Sequence, residues 1–355
     1  MRLLYLFTLM DISDKKILIT GASGGLGRQL IHCMTGRGLR PIAHCRTSSD
    51  TAYIDKHGLE KRFADLRDTN ALREIVQGID AIIHTAAIVN FRKDRRTHFA
   101  AVNVLGAVDL YKAARDAGVQ RFVHMSTVGA IGAVPRNGNG RYRPGKKLAN
   151  EEMEFNLEDL HIPYILTKHA AEVELMAAAT EGGPELIIVN PSIMASPSRN
   201  GSDREKALKS FNRVVMPDIP NLLNVVDVRD VAPAVVAALE RGKPGNRYIL
   251  AGDNINGRDF LLAVSEILGK TPHLLRIPRW ALNWAARLSL LLGTLRGKAR
   301  LRFYPDIVKL LDYDWAYSSL KARAELGFRN RSIYYTLEDL LNDEFVDSWQ
   351  EESAH

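Results

Sequence analysis

A chain of 355 residues with 46% hydrophobic and 25% charged content can bury a large core and has an ordinary globular composition. Its formal charge of +7, from 48 Lys and Arg against 41 Asp and Glu, is modest, and with no recognisable nucleic-acid module beside it the charge gives no reason to expect nucleic acid as a partner. Two cysteines, Cys33 and Cys45, exclude a disulfide framework and a thiolate-built zinc site, so a reducing, cytoplasmic setting is expected.

In chain order, residues 1–10 are apolar with one arginine, far short of the roughly 20 residues that span a bilayer. They also lack a small-residue cleavage site and read as an appendage to the fold. An apolar run over 16–20 ends in a glycine turn, and 27–37 reads as a helix closed by Gly38. Strands follow at 41–45 and at a segment ending in Phe63-Ala64-Asp65-Leu66, then a helix over 72–77 and a strand over 81–84. A helix over 99–117, a strand over 121–125, a helix from about 164 to 180 and a strand over 185–189 continue the alternation.

That alternation predicts an α/β fold with a doubly wound parallel sheet of Rossmann type, because each parallel crossover needs a helix that covers the sheet. After Pro191 the rhythm is irregular. Segments 224–239 and 247–250 read as returns to the sheet layer, whereas 200–221 and 257–349 read as a separate lobe. The expected division is a dinucleotide-binding domain over 11–191 plus about 222–251, and a smaller, mostly C-terminal substrate-binding lobe over about 192–221 and 252–349.

Gly21, Ser23, Gly24, Gly25, Leu26 and Gly27 join the first strand to the first helix. Glycines there let the backbone approach a pyrophosphate, and the helix N-terminus supplies unpaired N–H groups and positive dipole. At the end of the second strand a carboxylate would hold an adenosine ribose, whereas an arginine favours a 2'-phosphate. The chain offers Arg46 there, with Ser48 nearby and no acid until Asp50. NADP is therefore expected, with NAD as the alternative. Asp65 and Leu66 fit an adenine, and Thr85, Ala86 and Ala87 end the fourth strand with small residues beside which a cofactor can lie.

Tyr164 and Lys168 are spaced i and i+4, so on a helix they share a face. Bringing a phenol from its ordinary pKa of about 10 to near 7 needs roughly 4 kcal/mol of preferential phenolate stabilisation. An ammonium about 4 Å away at an effective dielectric of 20 supplies a similar amount. Ser126 and Thr127 end the fifth strand, where ligands of such sheets bind, and offer hydroxyls for a substrate oxygen. The histidines His32, His44, His84 and His124 are scattered over separate elements without an acid cluster, so no metal is expected.

Taken together, the glycine turn, Asp65-Leu66, His84-Thr85-Ala86-Ala87, Val102-Asn103-Val104-Leu105-Gly106-Ala107, Ser126-Thr127, Tyr164 with Lys168, and the run from Asn224 to Ala232 resemble the extended short-chain dehydrogenases/reductases of the NAD-dependent epimerase/dehydratase superfamily. The resemblance covers roughly residues 15–345. It implies Tyr164 as the proton-transfer residue and Lys168 as its electrostatic partner and a ribose-hydroxyl ligand. Aligning Gly132 with the glycine that closes the hydroxyl motif puts Thr127 on the reacting oxygen, with Ser126 as the neighbouring candidate. It further implies that Asn103 shapes the cofactor site and that the cofactor-binding set extends to Pro191 and Ile193. Asn190 stands where many relatives have arginine, and the Gly-, Arg- and Lys-rich segment 135–148 is unlike the compact loop of sugar epimerases.

Within the superfamily, His84 to Val89 and the run 318–328 resemble dihydroflavonol-4-reductase-like and 3-beta-hydroxysteroid-dehydrogenase-like enzymes, which act on bulky ketones or alcohols. The expected activity is NADPH-linked ketone reduction, or the reverse oxidation. The alternatives are a nucleotide-sugar epimerase or dehydratase that recycles NAD, and a non-catalytic dinucleotide-binding protein. The resemblance also makes a homodimer through the helices 99–117 and 164–180 an option. Trp280, Trp284, Leu288, Leu291 and Leu292 recur at near-helical spacing among arginines in 277–295. Such a stripe is expected in a core or over a substrate pocket first, and as a peripheral membrane contact second.

Overall fold

The computed structural model describes residues 9–89, 96–136, 148–197, 203–211, 215–295 and 305–342. Residues 1–8, most of 135–148, and Arg296, Lys298, Arg300 and Arg302 lie outside the described residues. Seven strands, β1 (Ile17–Thr20), β2 (Ile42–Cys45), β3 (Lys61–Phe63), β4 (Ala81–His84), β5 (Arg121–Met125), β6 (Glu185–Pro191) and β7 (Arg247–Leu250), form one sheet in the order β7-β6-β5-β4-β1-β2-β3. Every neighbouring pair is parallel.

Alternate strand residues separate into two cores. Ile17, Ile19, Ile83, Val123 and Ile187 pack under the helices Gly25–Thr35 and Val228–Arg241. Leu18, Ile82, Phe122 and Ile188 face the helices Thr69–Ile75, Gly106–Asp116 and Pro163–Thr180. Burial on both faces explains why these strands are nearly continuous apolar runs in the sequence. Strand order reverses between β1 and β4, and the crevice beyond their carboxyl ends is where such sheets bind ligands.

Several predicted elements shift by a few residues. The helix expected at 72–77 is Thr69–Ile75, started by the Asp68 carboxylate, which accepts from the N–H groups of Asn70 and Ala71 at 3.1 Å each. The helix expected over 99–117 is Arg96–Ala100, a π-helical turn at Ala101–Leu105, and Gly106–Asp116. A larger difference follows Pro191. The segment expected to return to the main sheet at 224 is a strand, Leu222–Asp227, of a second sheet, parallel to Ile193–Ala195 and antiparallel to Asp253–Asn256. Only the helix after it, Val228–Arg241, and β7 rejoin the main layer.

A third core, built from Val225, Ile255, Leu261, Val264, Ile333, Leu337 and Leu341, belongs to the second sheet and the C-terminal helices. The C-terminal segment also reaches back: Ala322, Leu326 and Phe328 are buried in the first core of the main sheet. Asp227 fastens this return. Its carboxylate starts the helix at the Arg229 N–H, pairs with the Arg229 guanidinium at 2.7 Å and accepts from Thr336 Oγ1 at 2.9 Å.

The stripe in 277–295 forms the helix Arg279–Leu295, as its spacing predicts, but Trp280, Trp284, Leu288 and Leu291 are exposed rather than part of a core. Trp280 and Trp284 are 74% and 67% exposed.

Candidate active site

A cleft of about 610 Å³ opens at the carboxyl ends of β1, β2, β4 and β5. Gly21, Ser23, Gly24, Gly25, Leu26 and Gly27 form one wall, and Arg46, Asp65, Leu66, Thr85, Ala86, Ala87, Tyr164, Lys168 and Pro191 also line it. The glycine turn is built for close approach. Gly21 sits at φ +68°, and a Cβ on Gly27 would stand 2.4 Å from the Gly21 carbonyl oxygen. The helix Gly25–Thr35 that follows has Gly24 as its N-cap and no side-chain cap, and Gly24, Gly25 and Leu26 line the cleft. Those features fit the pyrophosphate of a dinucleotide.

At one end of the cleft stand two guanidiniums, Arg46 and Arg67. Arg67 grips Asp65 through two hydrogen bonds, of 2.9 and 2.5 Å. That grip holds the Asp65 carboxyl down at about 2, with the Arg46 charge contributing. Asp50 is paired with Arg28 at 3.0 Å. Ser49, not Ser48, lines the cleft, and its hydroxyl accepts from the Arg46 N–H at 3.2 Å.

The floor is stitched to the sheet. Thr85 Oγ1 donates to the Thr20 carbonyl at 2.5 Å, and the Ala86 N–H donates to Thr20 Oγ1 at 3.2 Å. Asn103, 1% exposed, does not line the cleft; its side-chain amide brackets Ile88, accepting from its N–H at 2.8 Å and donating to its carbonyl at 3.1 Å. It shapes the site by holding the segment after β4, from the π-helical turn. Ile193 also lies off the cleft, 55% exposed, while the next residue, Met194, lines it. Successive residues of a strand point to opposite faces, which accounts for the swap.

Ser126, Tyr164 and Lys168 also line the cleft, and Thr127 stands beside Tyr164. Burial raises the phenol above its ordinary value, and Thr127 pulls against that rise. Thr127 does not line the cleft, whereas its neighbour Ser126 does. Lys168 departs from expectation. It shares the helix Pro163–Thr180 with Tyr164, but its ammonium donates to the Met125 carbonyl at 2.5 Å and lies 3.1 Å from His124 Nε2. Burial brings Lys168 down to about 8, against the pull of the Glu172 carboxylate. The ammonium is therefore held by β5.

Residues 17–251 match the NAD dependent epimerase/dehydratase family. The chain belongs to that family. Among individual relatives it is 29% identical to sterol demethylase protein B of Methylococcus capsulatus, over 87% of this chain and 92% of that one. It is 31% identical to a Synechocystis protein that carries the provisional name dihydroflavonol 4-reductase, over 91% and 93%. The solved structure of gox2253, 28% identical, superposes over 96% of this chain and 99% of that one with a TM-score of 0.76.

This epimerase/dehydratase family member has a buried array behind the cleft that motif reading did not find. Glu172, one turn beyond Lys168, is 2% exposed; its Oε1 accepts from Asn190 Nδ2 at 2.6 Å, and Arg247 of β7 approaches its Oε2 at 3.6 Å. Asn190 Nδ2 also donates to the Thr127 carbonyl at 3.0 Å. Burial pushes the Glu172 carboxyl up, against Ser126, Asn190, Arg247 and Lys168. Asn190 thus ties the helix Pro163–Thr180 to the turn that carries Thr127, and Arg247 approaches the same carboxylate from the neighbouring strand. The i+4 spacing of Glu172 from Lys168 was the available signal. Among the described residues no cluster of three or more His, Cys, Asp or Glu is placed to hold a metal.

Proposed function

We propose that the chain is an NADPH-linked reductase of bulky, apolar ketones, able to run as the reverse alcohol oxidation. The observation that carries this reading is one cleft lined by Ser126, Tyr164 and Lys168 together with Arg46 and Arg67. The acids near that end are engaged, Asp65 with Arg67 and Asp50 with Arg28. A 2'-phosphate suits two guanidiniums, and a ribose 2'-hydroxyl would want a carboxylate that is not already paired. The names of the sterol and dihydroflavonol relatives support a fused-ring substrate.

When bound, the nicotinamide supplies or takes the hydride. Tyr164, held protonated by burial, is in the donor form that ketone reduction needs, and gives its proton to the substrate oxygen. Thr127, with Ser126 beside it, positions that oxygen, and Lys168 is assigned to the ribose hydroxyls of the cofactor. Gly21, Gly24, Gly25 and Gly27 take the pyrophosphate against the helix N-terminus.

Calorimetric titration of nucleotide-stripped protein with NADPH and with NADH tests the reading. NADPH is expected to bind at least about tenfold tighter, a difference erased by Arg46→Ala. Preference for NADH, or protein that cannot be stripped of NAD, would overturn it in favour of an epimerase or dehydratase that recycles its cofactor.

A further inference from the structure

The helix Arg279–Leu295 carries a largely exposed apolar face. Trp280, Trp284, Leu288 and Leu291 are 74%, 67%, 41% and 58% exposed, and at 3.6 residues per turn these positions fall on one side. Ala286, on the opposite side, is fully buried. Leu275 and Ile277, just before the helix, extend the apolar patch at 55% and 36% exposure. A contiguous patch with two tryptophans marks an interaction surface.

Charge identifies the partner. Between residues 276 and 302 the sequence has seven Arg and Lys and no Asp or Glu. Arg276, Arg279 and Arg287 are exposed around the stripe. Arg276 pairs with Asp218 and Arg279 with Asp312, both outside this stretch, while Arg287 falls between Trp284 and Leu288 at the edge of the apolar face. A second copy fits poorly, because a two-fold contact would set this basic stretch, which has no acid of its own, against itself. Spanning a membrane is also disfavoured: no described helix is long and apolar enough to cross one.

We propose that the helix Arg279–Leu295 docks the protein on anionic lipid bilayers, lying in the headgroup plane with Trp280 and Trp284 inserted and the arginines at the lipid phosphates. The docking goes beyond the reaction assigned above and does not depend on it.

The test uses the full chain with vesicles of phosphatidylcholine alone and of phosphatidylcholine containing about 30% phosphatidylglycerol. Sedimentation with the anionic vesicles is expected, with blue-shifted tryptophan emission and weakening at high salt. Trp280→Ser/Trp284→Ser and, separately, Arg287→Glu are each expected to weaken binding at least about tenfold. All three side chains are exposed, so the melting temperature and the NADPH titration should stay as in the unmodified protein; this separates a failure of docking from a failure of the reductase reading. Absence of binding to anionic vesicles, binding indifferent to these substitutions, or a dimer that the tryptophan substitutions dissolve would overturn the proposal.

Discussion

Lys168 holds its proton in a setting that does not favour it. The ammonium is 2% exposed, donates to the Met125 carbonyl and rests against a histidine that burial keeps neutral. Its value of about 8 means the charge is present at neutral pH and is lost as pH rises through about 8. If that charge helps hold the cofactor and favour hydride transfer, ketone reduction should decline across the same interval, which a rate profile between about pH 6.5 and 9.5 would reveal. In parallel, Tyr164→Phe should cut turnover at least about tenfold and leave dinucleotide binding intact. A flat profile or an undiminished variant would remove the corresponding group from the chemistry. The sequence put the phenol and the ammonium on one helical face, and that much held. It could not say which acceptor captures the ammonium, because the Met125 carbonyl and His124 arrive from a strand some 40 residues earlier in the chain.

At the scale of elements, the first helix meets the first strand with almost no clearance. A methyl at position 27 would stand 2.4 Å from the Gly21 carbonyl oxygen and 2.7 Å from Ala22 Cα. Gly27→Ala should therefore force the helix away from the turn, at a cost of about 1–3 kcal/mol. Thermal unfolding would register the loss, and titration with NADPH should show affinity falling with it; a variant with unchanged melting and binding would mean that the turn has slack. The βα alternation was readable because strands buried on both faces are apolar runs punctuated by glycine and helix caps. The π-helical turn at Ala101–Leu105 was not, since its apolar sequence suits an ordinary helix equally well. Nor was the departure of Leu222–Asp227 to a second sheet, which depends on pairing partners far away in sequence. The amphipathic spacing of Arg279–Leu295 predicted a helix with an apolar face; periodicity carries no information on what lies against that face.

Across the whole molecule, the chain leaves its main sheet after Pro191 and returns through β7, and its C-terminal segment closes the circuit with Ala322, Leu326 and Phe328 in the first core. The lobe that carries the exposed tryptophan helix is thereby tied to the sheet that carries the cleft. The same sheet holds a polar row at its carboxyl end. In register, His44 of β2 lies beside Thr20 of β1, Thr20 beside His84 of β4, and His84 beside His124 of β5. His84 Nδ1 is 2.8 Å from Thr20 Oγ1, and the rings of His84 and His124 stack at 5.4 Å. Burial carries His44 down to about 4 and His84 to about 3, and drives His124 well below the ordinary 6.5. An unfolded chain would accept protons on all three imidazoles below about pH 6.5, whereas the folded sheet refuses them. Their contribution to stability is therefore complete above that value and is lost progressively as pH falls from about 6.5 through about 4 for His44 and about 3 for His84. Melting temperature recorded from about pH 7.5 down to 5 should fall above the ordinary carboxylate range, and an unchanging value would mean that the row accepts protons while folded. A row at the carboxyl end of the sheet, one member of which lines the cleft, thus also sets how much acid the fold is expected to withstand.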